Sequence, residues 1–464
     1  MIPLDLATLS RAVDGTLRVG DPTTVVDAVE TDSRRAGPGA LFVALRGEHA
    51  DGHAFAADAA AGGASAVLVE REVDAGGAAV VEVPDTWDAI GVLAAHVRDT
   101  VDPLVVGITG SVGKTTTKDL TAAALSAGRR TVAAPGSFNN ELGVPLTLLA
   151  TRPDTEALVV EIGARGRGHI ASLTPWVRPD VAIVTAVAGV HLELFGTVED
   201  VAVAKAELVE ALDADGTAVL NGADHRVRAM AERTDARVLL YGPEGTGDLD
   251  VVVTDVELDR LARPRGTVRT PWGDVEVALP IAGAHNLHNA AAALAVAGAT
   301  GVDLAAAADA LADVAVSRWR GEVVDAGGVV VLNDAYNANP TAVAAALDTL
   351  VAIERSGRAV AVLGVMAEIG ADHDLEHART GRRAVAAGVD LLVVVGERAA
   401  AMASGAREDA PDPDRVVEVP DAEAALALLR DELVAGDVVL VKASRVGGLE
   451  TVAAGLVEAR GDGA

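Results

Sequence analysis

The chain of 464 residues has no cysteine, which excludes disulfides, cysteine-held zinc and thiol nucleophiles. Aromatic residues make up only 2% of it, so any core must be built from Ala, Val and Leu. Positive charge is scarce: 38 Lys and Arg stand against 68 Asp and Glu, a formal charge of −30. That field repels nucleic acid and anionic membrane surfaces. It leaves room for a nucleotide ligand, which needs only a local cluster of donors. No uninterrupted apolar run reaches about 18 residues, so no transmembrane segment is expected. Met1-Ile2-Pro3-Leu4-Asp5-Leu6 lacks the basic start of a secretory signal, and a cytoplasmic protein is expected. Half of the residues are hydrophobic, and the length suggests about three domains.

The patterning is α/β. In the first stretch, 1–84, short β-like runs (41–45, 66–69) flank an Ala-rich helical segment at 54–64. Pro84-Asp85 breaks the pattern, and Asp85 is placed to cap a helix through about Arg98. From 85 to 317 apolar runs at 157–162, 181–185, 217–220 and 236–240 alternate with helices, which predicts a mostly parallel, helix-covered sheet. Segment 250–281 reads as a small β excursion hanging from that domain, and 289–314 as a helical, Ala-rich region. A third unit, 318–464, alternates again, with strands at 329–333, 359–363, 391–395 and 438–441. The acidic stretch 408–414 reads as an exposed loop.

The most informative segment is Val105-Val106-Gly107-Ile108-Thr109-Gly110-Ser111-Val112-Gly113-Lys114-Thr115-Thr116-Thr117. An apolar strand runs into a Gly-rich turn and a helix start. Amides of such a turn converge on one anion, the helix N-terminus adds positive potential, Lys114 supplies a mobile cation, and a Thr hydroxyl ligates Mg²⁺. Ile108 stands where the strict phosphate-loop pattern has its first Gly. Other candidates are less decisive. Glu161 ends an apolar run, where a carboxylate needs a cationic partner or a metal. His191 and Glu193 follow the 181–185 run, and Lys205 sits in a helical stretch where solvation or a Glu pair is the plainer reading. Asn286 and Asn289 open a long helix as caps or as polar edges for a base. Asn333-Asp334-Ala335-Tyr336-Asn337-Ala338-Asn339-Pro340 crowds polar groups at a strand end, before a helix that Pro340 opens.

These strings together resemble the Mur ligases of peptidoglycan assembly, and within them the branch that adds D-alanyl-D-alanine. Further carriers are Thr31-Asp32-Ser33-Arg34, Asp51-Gly52-His53-Ala54-Phe55, Asn139-Asn140-Glu141-Leu142-Gly143-Val144-Pro145 and Val441-Lys442-Ala443-Ser444-Arg445. The diaminopimelate-reading string Asp-Asn-Pro-Arg of a sister ligase is absent. The resemblance implies three α/β domains: a small UDP-sugar-binding domain (1–84), a central phosphate-loop ATPase domain with a parallel sheet (85–317) and a Rossmann-like ligase domain (318–464). It implies that ATP phosphorylates the terminal carboxylate of a UDP-MurNAc-tripeptide, and that the amine of D-Ala-D-Ala attacks the acyl phosphate. By the same resemblance Gly110, Ser111, Val112, Gly113, Lys114, Thr115 and Thr116 hold the phosphates, and Lys114, Lys205 and His191 are catalytic. Asn289 meets adenine, and Arg320 and Asp334 approach phosphates and ribose. Of two Mg²⁺ ions, Thr115 holds one, and Glu161 and His191 hold the other beside a carbamylated Lys205. Ser33, Arg34, Asn139, Asn140, Asn337 and Asn339 are expected to touch substrate. A monomer with no nucleic-acid partner is expected. The competing expectations are a sister ligase for another amino acid, a folylpolyglutamate-type ligase, and a non-catalytic nucleotide-binding regulator.

Overall fold

The computed structural model describes residues 1–47, 49–190 and 192–461, with side chains through 459. The chain forms two compact units. One comprises Met1–Gly107, Arg129–Gly163 and Ala171–Asp180; the other comprises Ile108–Gly128, Ala164–Ile170 and Val181–Ala464.

In the first unit a five-stranded sheet runs Thr16–Val19, Ala79–Glu82, Ala66–Val69, Ala40–Val43, Ala28–Glu30 in spatial order. Its pairs are parallel except that of the edge strand Thr16–Val19. Strands Ala40–Val43 and Ala66–Val69 are buried on both faces, as continuous apolar runs require. The helical stretch expected over 54–64 is shorter, a 3₁₀ turn Gly52–Phe55 leading into Ala56–Ala61. Asp85 caps the helix Thr86–Val101 by accepting from the Trp87 and Asp88 amides, an arrangement worth about 1 kcal/mol. Gly91 lies against the Trp176 indole, where a Cβ would stand 2.2 Å from a ring carbon.

In the second unit strands Val181–Val184, Thr217–Asn221, Arg237–Pro243 and Val251–Leu258 lie side by side and parallel. The antiparallel strands Pro264–Thr270 and Gly273–Ala278 follow. The segment read as a hanging β excursion is therefore an extension of the same sheet: Tyr241–Pro243 pairs directly with Val251–Val253. The Ala-rich region is two helices, Asn286–Ala299 and Leu304–Ala312, separated by Gly301 at φ +77° and restarted by Asp303, which accepts from the Ala306 amide. A further six-stranded sheet has the order Glu322–Ala326, Val329–Asn333, Val438–Lys442, Ala359–Leu363, Leu391–Val395, Val416–Val419. Its first pair is a hairpin and the remaining pairs are parallel. Two of these strands, Glu322–Ala326 and Val416–Val419, escaped the sequence reading; they are edge strands with mixed exposure and weak periodicity. Among the described residues, no helix is long and apolar enough to cross a membrane.

Candidate functional site: a phosphate loop met by an arginine

The phosphate loop turns at Gly110 (φ +150°) and Gly113 (φ +82°), conformations that residues with a Cβ rarely adopt. A Cβ at Gly110 would stand 1.9 Å from Thr185 Oγ1. That closeness is functional packing: the Thr185 hydroxyl donates to the Val112 carbonyl at 2.6 Å. The Ser111 amide donates to the Ala186 carbonyl at 2.8 Å, and the Ser111 hydroxyl both donates to the Ala188 carbonyl and accepts from its amide. Asn221 Nδ2 in turn donates to the Thr185 carbonyl, and Asp224 accepts from the Val187 amide. Ser111, expected at the phosphates, thus uses its side chain to brace the loop. Thr185, Asn221 and Asp224 were missed in the sequence, where each reads as an ordinary strand end or turn.

Gly113 leads into the helix Lys114–Ser126 and supplies no capping side chain. The amide end of that helix therefore keeps its positive potential for an anion. Lys114 Nζ donates to the Gly110 carbonyl at 2.8 Å, folded back over the loop. Thr115 is buried, and its Oγ1 accepts from Arg320 Nη2 at 3.0 Å. Thr116 is partly exposed on the same first turn. Asn289 lies beside Gly113: its Oδ1 accepts from Thr117 Oγ1 at 3.3 Å and its Nδ2 donates to Asn286 at 3.0 Å. Asn286 donates to the Ala282 carbonyl instead of capping the helix.

The whole chain contains four lysines, Lys114, Lys118, Lys205 and Lys442. Three are buried, at 1%, 2% and 3% exposure for Lys118, Lys205 and Lys442. Lys118 pairs with Asp119 at 3.0 Å. Lys442 donates to Asp334 Oδ2 at 2.5 Å and to the Asn337 carbonyl at 2.9 Å, so Asp334 and Asn337 meet at one amine. Asn339 caps the helix Pro340–Ala352 through the Ala342 amide and is itself buried. Lys205 has no hydrogen bond or ion pair among the described residues. Burial, and then the charge of Lys114, push its amine well below the usual lysine range. The sequence reading of Lys205 as solvated or Glu-paired is thereby corrected: the face of its helix (Val198–Glu210) that carries it points inward.

In the first unit Glu161 is buried at the end of the strand Ala157–Glu161, and Asn139 Nδ2 donates to its Oε1 at 2.7 Å. The Asn140 carboxamide accepts from the Gly143 amide and opens the helix Gly143–Leu149. Arg34 reaches back to Asp32 and lowers that carboxyl to about 2, and Ser33 begins the same 3₁₀ turn. The Asp51-Gly52-His53 string is a folding device. The Glu70 amide donates to His53 Nε2, so Nδ1 carries the proton and donates to Asp51. His191 lies outside the described residues. The Thr115 hydroxyl in the second unit and the Glu161 carboxylate in the first are each the kind of hard oxygen donor that Mg²⁺ takes.

Family models match three successive segments: "Mur ligase family, catalytic domain" at 25–98, "Mur ligase middle domain" at 108–297 and "Mur ligase, glutamate ligase domain" at 319–445. A Mycobacterium tuberculosis protein named UDP-N-acetylmuramoyl-tripeptide--D-alanyl-D-alanine ligase is 42% identical, over 98% of each chain. The chain belongs to the Mur ligase family. A crystal structure of the Acinetobacter baumannii member MurF superposes with a TM-score of 0.88 at 33% identity, covering 98% of this chain and 99% of that one. A Thermotoga maritima MurF, solved in complex with ADP, has a TM-score of 0.80 at 28% identity, covering 95% and 99%. The three-domain α/β architecture is that of a Mur ligase, and the phosphate loop falls at the start of its middle-domain segment.

Proposed function

We propose that the chain is an ATP-dependent amide ligase that adds D-alanyl-D-alanine to a UDP-MurNAc-tripeptide, forming the pentapeptide precursor of peptidoglycan. The observation that carries this reading is the braced phosphate loop, met at Thr115 by Arg320 from the segment matched as the ligase domain. The branch is supported by full-length similarity to proteins named for that reaction. Domains 1–84, 85–317 and 318–464 then carry the UDP-sugar, the ATP and the incoming dipeptide respectively.

A carboxylate is a poor electrophile, and the γ-phosphate that activates it is also an anion. The residues present address that repulsion. The uncapped helix start and Lys114 bind the phosphates and offset their charge; Lys114 swings from the Gly110 carbonyl to do so. Arg320 presents a planar fork of donors to the same anions. Two Mg²⁺ ions, one at Thr115 and a second at Glu161 with His191, would supply charge neutralisation when bound. Asn139 orients the Glu161 carboxylate. Lys205 is suited to carbamylation: a buried neutral amine keeps its lone pair for CO₂, and loss of one proton yields a carbamate anion. Ser33, Arg34, Asn139 and Asn140 serve the UDP-sugar end, Asn289 the adenine, Asp334 the ATP phosphates and ribose, and Asn337 and Asn339 the substrate. Glu161, Lys205 and His191 together favour an enzyme over a passive nucleotide-binding regulator.

The test is phosphate release from ATP with UDP-MurNAc-tripeptide and one of D-Ala-D-Ala, L-Ala, L-Lys or diaminopimelate. Turnover with the dipeptide alone is expected. Lys114→Ala should lower kcat/KM on the order of 10²–10³-fold. Turnover with a single amino acid, or full activity of Lys114→Ala, overturns the reading.

A further inference from the structure

The segment Ser317–Arg320 lies along one face of the phosphate-loop helix and is held at both ends. At its start, the Ser317 amide donates to Asp119 Oδ2 at 2.8 Å, while Asp119 Oδ1 pairs with buried Lys118 at 3.0 Å. At its end, Arg320 donates to Thr115. Thr115 and Asp119 are four residues apart on one helix, so they share a face. The backbone between turns through Trp319 at φ +62° and Gly321 at φ +67°. Consecutive side chains enter stacked pairs: the Arg445 guanidinium sits 4.5 Å over the Trp319 ring, and the Arg320 guanidinium 4.0 Å over the Tyr336 ring. The Tyr336 amide also donates to the Trp319 carbonyl at 3.4 Å.

We propose that Tyr336 and Asp119 are positioning residues for Arg320, Tyr336 by stacking on the guanidinium face and Asp119 by tethering the strap that delivers it. The proposal rests on the reading of the loop as an ATP phosphate site. A guanidinium held over a ring by its face still presents its N–H edges outward, in its own plane, where they can meet oxygen. An arginine otherwise surrenders considerable rotamer freedom on binding an anion, and ordering it beforehand removes that cost. The Tyr336 hydroxyl has no hydrogen bond among the described residues, so the ring itself is the working part. A phenylalanine should do nearly the same work.

The experiment measures KM for Mg·ATP and kcat in the full-length enzyme. Tyr336→Leu should raise KM for ATP about five-fold, the size of a partly exposed cation–π contact, with a smaller change in kcat. Tyr336→Phe should recover most of that loss. Asp119→Ala should move KM in the same direction, and it gives the readout should Tyr336→Leu not fold. In an Arg320→Lys background, which has already lost the planar fork, either change should add less than about two-fold. Equal factors in both backgrounds, or a Phe variant as impaired as Leu, overturns the proposal. Failure of the ATP reading itself shows separately, as Lys114→Ala protein that keeps its affinity for Mg·ATP.

Discussion

Lys205 is the residue whose chemistry depends most on its surroundings. An amine without a hydrogen-bond partner costs on the order of 1–3 kcal/mol to bury, and the same desolvation lowers its pKa. Between the folded-state pKa and the unfolded value of 10.5 the unfolded chain binds a proton that the folded chain does not, so this contribution to stability rises with pH. Lys205→Met keeps the volume and removes the amine. It should therefore be more stable than wild type by about 1–3 kcal/mol at pH 7, with the gain shrinking towards pH 10, while ligase activity collapses. Urea unfolding at the two pH values, with an activity assay, checks this. A less stable Met variant at pH 7 would mean that the amine is held by a partner in the absence of ligand.

At the scale of elements, strand ends carry most of the polar work. Asp437 sits at the start of the strand Val438–Lys442 and ties it to the neighbouring Ala359–Leu363. Its carboxylate accepts from the Arg358 amide at 2.7 Å, from Arg358 Nη2 at 2.9 Å and from the Val434 amide at 3.1 Å. Burial pushes its pKa up, but the hydrogen bonds of Arg358 and Val434 outweigh that and hold it below the usual value of 3.8. The stabilisation is therefore present above the ordinary carboxylate range and is lost as pH falls through the lowered folded value. Asp437→Asn should cost about 1–3 kcal/mol at pH 7, because Arg358 loses the buried one of its two carboxylate partners and keeps only the more exposed Glu432. In denaturant titrations the gap to wild type should close in acid.

Element identity was legible where periodicity and caps agreed: Asp85 before its helix, the strands 66–69 and 391–395, and the Gly-Lys-Thr helix start. It was less legible at edges and breaks. Gly301 at positive φ splits an Ala-rich run that reads as a single helical region, and edge strands Glu322–Ala326 and Val416–Val419 lack a continuous apolar pattern. The braces on the phosphate loop could not be read from order alone, since Thr185 meets Val112 across 73 positions of sequence.

For the whole molecule, ligand linkage supplies the broadest check. A ligand that binds only the native state stabilises it by about 2.7 kcal/mol at a hundred times its Kd. Saturating Mg·ATP should raise Tm by a few degrees, and EDTA should remove most of that rise if a hard oxygen donor such as the Thr115 hydroxyl holds the metal of the nucleotide. An equal Tm rise for metal-free ATP would show that Lys114, Arg320 and the helix start suffice alone.

By itself the sequence determined the α/β class, the phosphate loop and the family. Those depend on local periodicity, on glycines at positive φ and on strings whose order along the chain is itself the signal. Tertiary structure decided which polar residues are spent on architecture and which remain for chemistry. Ser111 and Asn339 have side-chain hydrogen bonds within the protein, and Lys205 is buried among the described residues without one. The reason is physical: burial and hydrogen-bond pairing arise from contacts between distant segments, and a lysine in a helical stretch reads the same in sequence whether its face meets water or a core.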